Sequence, residues 1–317
     1  MRAVVFENGF HVTSDFPEPE APPGWARIRV KTTGICKTDL ELLRGYMGFS
    51  GVLGHEFIGT VESCENRDWA GRRVSADINA ACGRCDWCRK GLGRHCPHRT
   101  TLGIDRLHGC MADFCVVPVP NLIEIPDSIS DDRAVFIEPL SAACEIIDQL
   151  SLNGDERVVV LGDGRLGILC AWVLSTVVSN VVISGHHAKK LQMAAWNGVR
   201  TILGPDIPSG ADVVVEATGS ATGFVQAMSL CRPRGVLVLK STIAASEKIH
   251  LAPLVIHEIT VVGSRCGLLS RGLTIMERYP DMPIEKLITD RFPVEQAVTA
   301  FERASGGSAV KVLIDIG

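Results

Sequence analysis

The cysteine run Cys82-x2-Cys85-x2-Cys88-x7-Cys96 restricts this chain more than any other feature. Four thiolates at such short spacing can wrap one tetrahedral Zn²⁺ at about 2.3 Å per bond. They leave no open coordination position, so the ion would be structural and residues 80–98 a lobe built round it. Gly83, Gly91 and Gly93 suit its turns, and Arg84, Arg89, Lys90 and Arg94 would offset the net negative charge of a zinc tetrathiolate. His95 and His98 are alternative ligands that four cysteines make unnecessary. The mundane reading, a set of free surface thiols, does not account for the spacing.

Twelve cysteines are many for 317 residues. Met1–Phe10 alternates apolar and polar residues, carries Glu7, and has no basic stretch followed by an apolar core, so no signal peptide is expected. In a cytoplasmic chain, cysteines read first as metal ligands or buried thiols. A chain of this length has one or two domains. Its 46% hydrophobic and 21% charged residues are ordinary for a globular protein and exclude a disordered or fibrous one. A net charge of −4, no long Lys/Arg run and 5% aromatics disfavour nucleic acid as a partner. Leu166–Ile183 is uncharged and near the lower length for a membrane span. Ser179-Asn180 interrupts it and glycine-rich loop signals flank it, so it reads as a buried helix followed by a buried strand, with no membrane partner.

The first third carries short strand signals broken by Gly and Pro: Ala3–Phe6, Trp25–Val30, Phe57–Glu62, Arg73–Ile78 and Phe114–Val117. They predict a loop-rich β domain. Beyond Asp131 the texture changes. Asp132–Leu150 reads as a helix, or a kinked pair around Pro139. Apolar runs without alternation follow at Val158–Leu161, Val181–Ile183, Val213–Val215, Val236–Leu239 and Ile259–Val262, separated by segments of helix length. That pattern indicates an α/β arrangement, a parallel sheet covered on both faces. Val294–Ala304 reads as a helix and Val310–Ile316 as a strand.

Gly162-Asp163-Gly164-Arg165-Leu166-Gly167 is a GxGxxG run that follows a strand and opens an apolar helix, the context a dinucleotide site needs. The first Gly makes the turn, the second lets the pyrophosphate approach, the third packs helix on strand, and the helix N-terminus favours the phosphates. NAD sites usually place Asp or Glu at the end of the second strand. Here that strand runs into Gly185, His186 and His187, then Lys189 and Lys190, with no carboxylate available. The small Gly185 would leave room for a 2′-phosphate that His186, His187 and Lys190 could meet, so the reading leans to NADP. The bland reading is a solvated basic loop that accepts either cofactor.

A third constellation is dispersed: Cys36 in GICKTD, His55 and Glu56 in GHEFIG, Glu138 in FIEPL. One sulfur, one nitrogen and one carboxylate make a mixed zinc site with an open fourth position. Singly, each has an ordinary role as a buried thiol, a core histidine or a helix-start carboxylate.

Together GICKTDLEL at 34–42, GHEFIG at 54–59, the cysteine lobe, FIEPLSAA at 136–143, VVLGDGRLG at 159–167 and VVVEATGS at 213–220 resemble the zinc-dependent medium-chain alcohol dehydrogenase family, its sorbitol, threonine and polyol branch in particular. The resemblance spans nearly the whole chain. It implies a GroES-like β-rich catalytic domain at 1–139 and 273–317, and a Rossmann doubly wound parallel sheet domain of six strands at 140–272. It implies two zinc ions per chain. Cys36, His55 and Glu138 would hold the catalytic one, with Glu56 beside it and able to exchange with Glu138 or a water. Asp39 would hydrogen-bond His55 and fix its tautomer. Thr38 would pass the proton out through the nicotinamide ribose. Lys37 and Lys311 would contact the cofactor pyrophosphate, and Thr218-Gly219 and Gly263-Ser264-Arg265 would line the nicotinamide end. The implied chemistry is hydride transfer between a small alcohol and NAD(P), with zinc as Lewis acid, reversible to the ketone or aldehyde, in a homodimer or homotetramer. The alternatives are a superfamily reductase of aldehydes or activated alkenes with only the structural zinc, and a non-catalytic cofactor-binding protein. The chain is shorter than most of the family, so trimmed loops would set the substrate. Phe49, Phe57 and Leu268 are apolar candidates for that pocket, and the remaining cysteines are expected as small buried hydrophobes.

Overall fold

Residues Trp25–Gly34 alternate apolar and polar side chains, and in the computed structural model, which describes residues 1–242 and 249–317, they form a ten-residue strand. Ala26, Ile28 and Val30 fill the buried face of that strand. It pairs antiparallel with Glu56–Cys64, Phe114–Pro118 and Lys311–Asp315, and Glu56–Cys64 pairs onward with Arg73–Ala76. Register shifts at Arg27/Ile28 and Val30/Thr32 bend the Trp25–Gly34 strand, as bulges do. The result is a seven-stranded sheet whose last pair, Ile288–Pro293 with Lys311–Asp315, is parallel. The cysteine lobe leaves and re-enters through Asn79–Ala80 and Thr100–Leu102, which pair antiparallel and close its neck.

The chain divides into two compact units, Met1–Glu138 with Ile288–Gly317, and Pro139–Leu287. The return to the first unit expected at 273 would cut helix Leu269–Arg278; the second unit instead runs to Leu287, held by buried Met276, Met282, Ile284 and Leu287. The segment around Pro139 forms two helices, Asp131–Ala134 and Ile137–Gln149. The break precedes Pro139, which sits in the first turn of the second helix, where its missing N–H costs nothing.

The second unit is built on a six-stranded, all-parallel sheet of β1 (Arg157–Leu161), β2 (Asn180–Gly185), β3 (Arg200–Leu203), β4 (Ala211–Glu216), β5 (Cys231–Leu239) and β6 (Thr260–Gly263). Its order is β3-β2-β1-β4-β5-β6, so the winding reverses between β1 and β4. Ligands bind such sheets outside the carboxyl ends of the strands, at that switch point. Helix Arg165–Ser175 connects β1 to β2 and is buried from Gly167 to Leu174, which is why its sequence is apolar all round. Among the described residues no helix is long and apolar enough to cross a membrane. Cys110, Cys115, Cys144, Cys170 and Cys231 are buried as expected, whereas Cys64 and Cys266 are half-buried.

The start of β1 is tied to its neighbours by one carboxylate. Asp212 accepts from the Arg157 backbone N–H at 2.8 Å and from Arg232 Nε at 2.5 Å. The Arg232 guanidinium, with that N–H, holds the Asp212 carboxyl below its ordinary value. A depressed carboxylate contributes stability above its unfolded value of about 3.9, and the contribution is lost as pH falls through the folded value. The pair is largely solvated, so Asp212→Asn should cost about 1 kcal/mol, or about 2 °C in melting temperature at pH 7. The gap between variant and parent should close below about pH 3; a gap independent of pH refutes the assignment.

Candidate metal and dinucleotide sites

Four sulfurs lie at the corners of a small tetrahedron. Cys85 Sγ is 3.4 Å from Cys88 Sγ and 3.7 Å from Cys96 Sγ, and Cys82 Sγ is 3.9 Å from Cys88 Sγ and 3.5 Å from Cys96 Sγ. Four ligands at about 2.3 Å from a tetrahedral centre stand about 3.8 Å apart, so these separations fit one Zn²⁺. Backbone N–H groups of Arg84 and Cys85 pull the Cys82 thiol down to about 6, while burial and the Cys85 sulfur push Cys88 up to about 12. Thiols so crowded cannot all ionise without a cation among them, which is what a metal supplies. The His98 backbone N–H donates to Cys96 Sγ at 3.3 Å, and the side chains of His95 and His98 are exposed. All twelve cysteines are free of disulfides.

The second donor set is assembled from distant parts of the first unit. Cys36 caps helix Lys37–Leu42, and Asp39 in its first turn accepts from the Cys36 backbone N–H at 2.7 Å. The other Asp39 oxygen stands 3.4 Å from Nδ1 of buried His55. Next in the chain, Glu56 opens the strand Glu56–Cys64. Donor atoms of Cys36, His55 and Glu56 lie within 4.8 Å of one another. Among the described residues Glu138 does not join that set; it is half-buried at the second position of helix Ile137–Gln149. The carboxylate of the set is thus Glu56, not the Glu138 expected as third donor. Thr38 Oγ1 stands 3.8 Å from Cys36 Sγ, on the half-buried start of the same helix, where Lys37 is exposed.

Lys311 is a further correction. Expected on the cofactor pyrophosphate, it is 1% exposed, and its Nζ forms an ion pair with Glu56 Oε2. A Cβ at Gly34 would overlap the Lys311 ammonium, so Gly34 is the space the lysine fills. Burial pulls Lys311 down to about 8 against the attraction of Cys36 and Asp39. At His55 burial also opposes charge, but Asp39 and Cys36 outweigh it and hold the imidazolium well above its ordinary range. The pocket therefore favours positive charge where the donors converge. With His55 neutral as a ligand, Cys36 as thiolate, Asp39 and Glu56 set three negative charges against the Lys311 ammonium, and a divalent cation brings the balance to zero. The donor set and the charge both fit Zn²⁺.

The glycine loop lies at the carboxyl end of β1. Gly162 takes φ +112°, and a Cβ there would stand 2.6 Å from the Ala217 carbonyl oxygen; one at Gly167 would overlap the Gly162 carbonyl. Nothing lies within 4 Å of a Cβ built on Gly164, so open space faces the loop at its second glycine. Arg165, Leu166 and Gly167 form the first turn of the following helix, where backbone N–H groups lack intrahelical acceptors. Register pairs Leu161 with Ser184 and Glu216, Glu216 with Leu239, and Leu239 with Gly263, so the ends of five strands are level. Thr218 and the Ser264-Arg265 pair follow two of those ends.

Two buried ionisable residues here were not singled out from sequence. Glu216 Oε1 accepts from the Thr218 backbone N–H at 2.7 Å and hydroxyl at 2.5 Å. Lys240 Nζ donates to Ala142 O, Ser264 Oγ and Arg265 O. They fix the turns after β4 and β6, and the signal was a charged residue ending an otherwise apolar run. A third is Asp163. The room expected beside Gly185 is filled by its carboxylate, which a Cβ at Gly185 would overlap. Asp163 turns towards the end of β2 because the His187 backbone N–H donates to its Oδ2 at 2.7 Å. Of the apolar pocket candidates, Phe49 and Phe57 are buried and Leu268 is exposed.

Comparison with known proteins is consistent along the chain. The family described as alcohol dehydrogenase GroES-like domain matches residues 22–127, and the glucose dehydrogenase C-terminus family matches 131–316, more than half the chain. The sorbitol dehydrogenase of Halalkalibacterium halodurans is 27% identical, with 96% of each chain covered. The alcohol dehydrogenase TADH of Thermus sp. ATN1 superposes with a TM-score of 0.88 at 27% identity over 100% of both chains. A zinc-binding dehydrogenase of Sinorhizobium meliloti 1021, solved bound to NADP, gives 0.88 at 27% identity over 99% of both.

Removing one partner of a buried ion pair leaves the other charged and unpaired, at about 3–5 kcal/mol. Lys311→Met should therefore lower the unfolding free energy of chelator-stripped protein by about that amount, and adding Glu56→Gln should restore most of it. Additive losses in denaturant titrations of the single and double variants would show that the two charges do not sustain each other.

Proposed function

We propose that this chain, which belongs to the zinc-dependent medium-chain alcohol dehydrogenase family, oxidises small secondary alcohols or polyols with NAD(P) and runs in reverse on the ketone or aldehyde. Its fold is a GroES-like β domain plus a Rossmann domain, and it is an NAD(P)-dependent oxidoreductase. The observation that carries the substrate class is the Cys36–His55–Glu56 donor set, buried at His55 and Glu56 and half-buried at Cys36, whose three protein donors leave a position for the alcohol oxygen. A reductase that used zinc only structurally would have no need of these groups in one buried place.

Cys36, His55 and Glu56 would hold one zinc and the four lobe cysteines the other, two per chain. When bound, the catalytic zinc supplies Lewis acidity and the nicotinamide a hydride acceptor. Asp39 is a positioning residue: it fixes the Cys36 backbone and faces His55 Nδ1, which sets the ring's orientation and tautomer. Thr38 is the residue we assign to carry the alcohol's proton outward, its hydroxyl beside the Cys36 sulfur. Lys311 holds the Glu56 carboxylate in place. The pyrophosphate would lie on Gly164 and the first turn Arg165–Gly167, where the dipole of helix Arg165–Ser175 favours anions.

The working form we propose is a cytoplasmic homodimer or homotetramer paired through the β6 edge. Support comes from that end of the sheet: β6 is an edge strand, Val261 on it is exposed, and Val255 and Ile256 just before it are 78% and 72% exposed. Apolar side chains so exposed beside an open strand edge mark an interaction surface. Val255→Glu with Ile256→Glu should convert the protein to monomer by light scattering, and an unchanged mass would remove this edge as the interface.

The activity is tested by absorbance at the reduced-nicotinamide band, with secondary alcohols and polyols and both cofactors. Zinc analysis should give two ions per chain, with Cys36→Ser and Cys85→Ser each losing one. Cys36→Ser should abolish turnover, and Thr38→Ala should lower kcat by about 10²–10⁴ with little change in zinc content. One zinc in the unaltered protein, with turnover that survives Cys36→Ser, would favour the reductase reading instead.

A further inference from the structure

The carboxylate that a dinucleotide site normally takes from the end of its second strand is here delivered from the glycine loop. β2 ends at Gly185, whose Cα faces the Asp163 carboxyl so closely that no other residue fits there. Asp163 is only 7% exposed. Its Oδ2 accepts from the His187 backbone N–H at 2.7 Å, and both oxygens stand 3.1 Å from His187 Nδ1. The Gly185 end is itself fixed, since the Gly204 N–H donates to Gly185 O at 2.9 Å and Ser184 Oγ donates to Gly204 O at 2.8 Å. A carboxylate offers about four acceptor positions, so two contacts to His187 leave capacity for further donors.

Building on the reading of this sheet as a dinucleotide site, we propose that Asp163 reads the adenosine ribose and makes the chain select NAD over NADP. The 2′-hydroxyl of NAD is a donor that a carboxylate accepts. The 2′-phosphate of NADP has no donor at neutral pH and brings negative charge against a fixed, nearly buried negative group. The basic residues that could draw it, His186, His187 and Lys189, are exposed, Lys190 is half-buried, and the His187 ring is already engaged by Asp163. Solvated cations are screened by water and salt, whereas Asp163 is held in one place by His187. The repulsive element therefore outweighs the attractive ones, and selection comes from rejecting NADP as much as from binding NAD.

The test is binding, independent of turnover. The zinc-loaded full-length protein is titrated with NADH and NADPH by nicotinamide fluorescence, and with ADP-ribose and its 2′-phosphate by calorimetry. The unaltered protein should bind the forms lacking the 2′-phosphate at least tenfold more tightly in both pairs. Asp163→Asn and Asp163→Ser should bring the ratio close to one, through weaker NADH and tighter NADPH binding. NADPH bound as tightly as NADH by the unaltered protein overturns the proposal, even if both variants fail to fold. An unchanged ratio in a folded variant overturns it as well. If neither dinucleotide binds, the cofactor reading falls and the proposal with it, an outcome distinct from binding without preference.

Discussion

Asp39, His55, Glu56 and Lys311 are four ionisable side chains, none more than 3% exposed, gathered in one unit of the fold. Buried charges are tolerated only when paired and hydrogen-bonded, and this requirement explains features that otherwise look unrelated. Gly34 has no side chain because the lysine occupies its space. Asp39 stands in the first turn of helix Lys37–Leu42 because from there it bonds the Cys36 N–H and faces His55. The C-terminal strand Lys311–Asp315 pairs with Trp25–Gly34, and that pairing carries the ammonium to Glu56. The split first unit is thus the means by which a residue from the chain's end completes a charge balance begun near its start.

That balance also separates the two candidate metal sites. The cysteine lobe is local: its ligands come from one segment, and two short paired strands close its neck. It needs little else from the chain, and a four-thiolate shell keeps the ion's coordination closed. The other site draws on the 36–39 turn, the 55–56 pair and position 311, and among the described residues it gathers three protein donors. It needs the whole antiparallel sheet in register to exist. A closed site can stand on local structure, while an open reactive one depends on groups held in place by the surrounding fold.

How much was legible in the sequence follows the same division. The lobe, the glycine loop and the apolar parallel strands were readable because each is encoded in a short stretch with a fixed spacing or period. Cys36 and His55 were read as metal donors from residue type, with Glu56 next to His55, and the structure brings the three together. What spacing could not show was which acid stands with them. Glu138 was expected as the third donor with Glu56 beside it, but only long-range strand pairing determines which carboxylate reaches the cysteine. Lys311 was misplaced for the same reason: a lysine near the terminus gives no sign that it will be buried. The unit boundary came with the resemblance and falls inside helix Leu269–Arg278, which buries Leu269, Gly272 and Met276 and clusters whole with the second unit.

At the end of β2 an absence along the chain is filled in three dimensions. Scanning the end of β2 finds Gly185, two histidines and two lysines, and the inference of a basic, roomy pocket is sound as far as the linear sequence goes. The acid was one loop away, in the variable position of GxGxxG, where side chains are usually passed over in favour of the glycines. Strands β1 and β2 are hydrogen-bonded neighbours with Leu161 level with Ser184, so a residue just past the end of one faces the residue just past the end of the other. The absence of a side chain at Gly185 and the presence of one at Asp163 are then a single feature, since neither is compatible with the other's alternative. Electrostatics at this edge is decided by the group that is both close and fixed. His186 and Lys189 lie further into solvent, where screening weakens whatever they contribute, and the His187 ring is taken up by Asp163 itself.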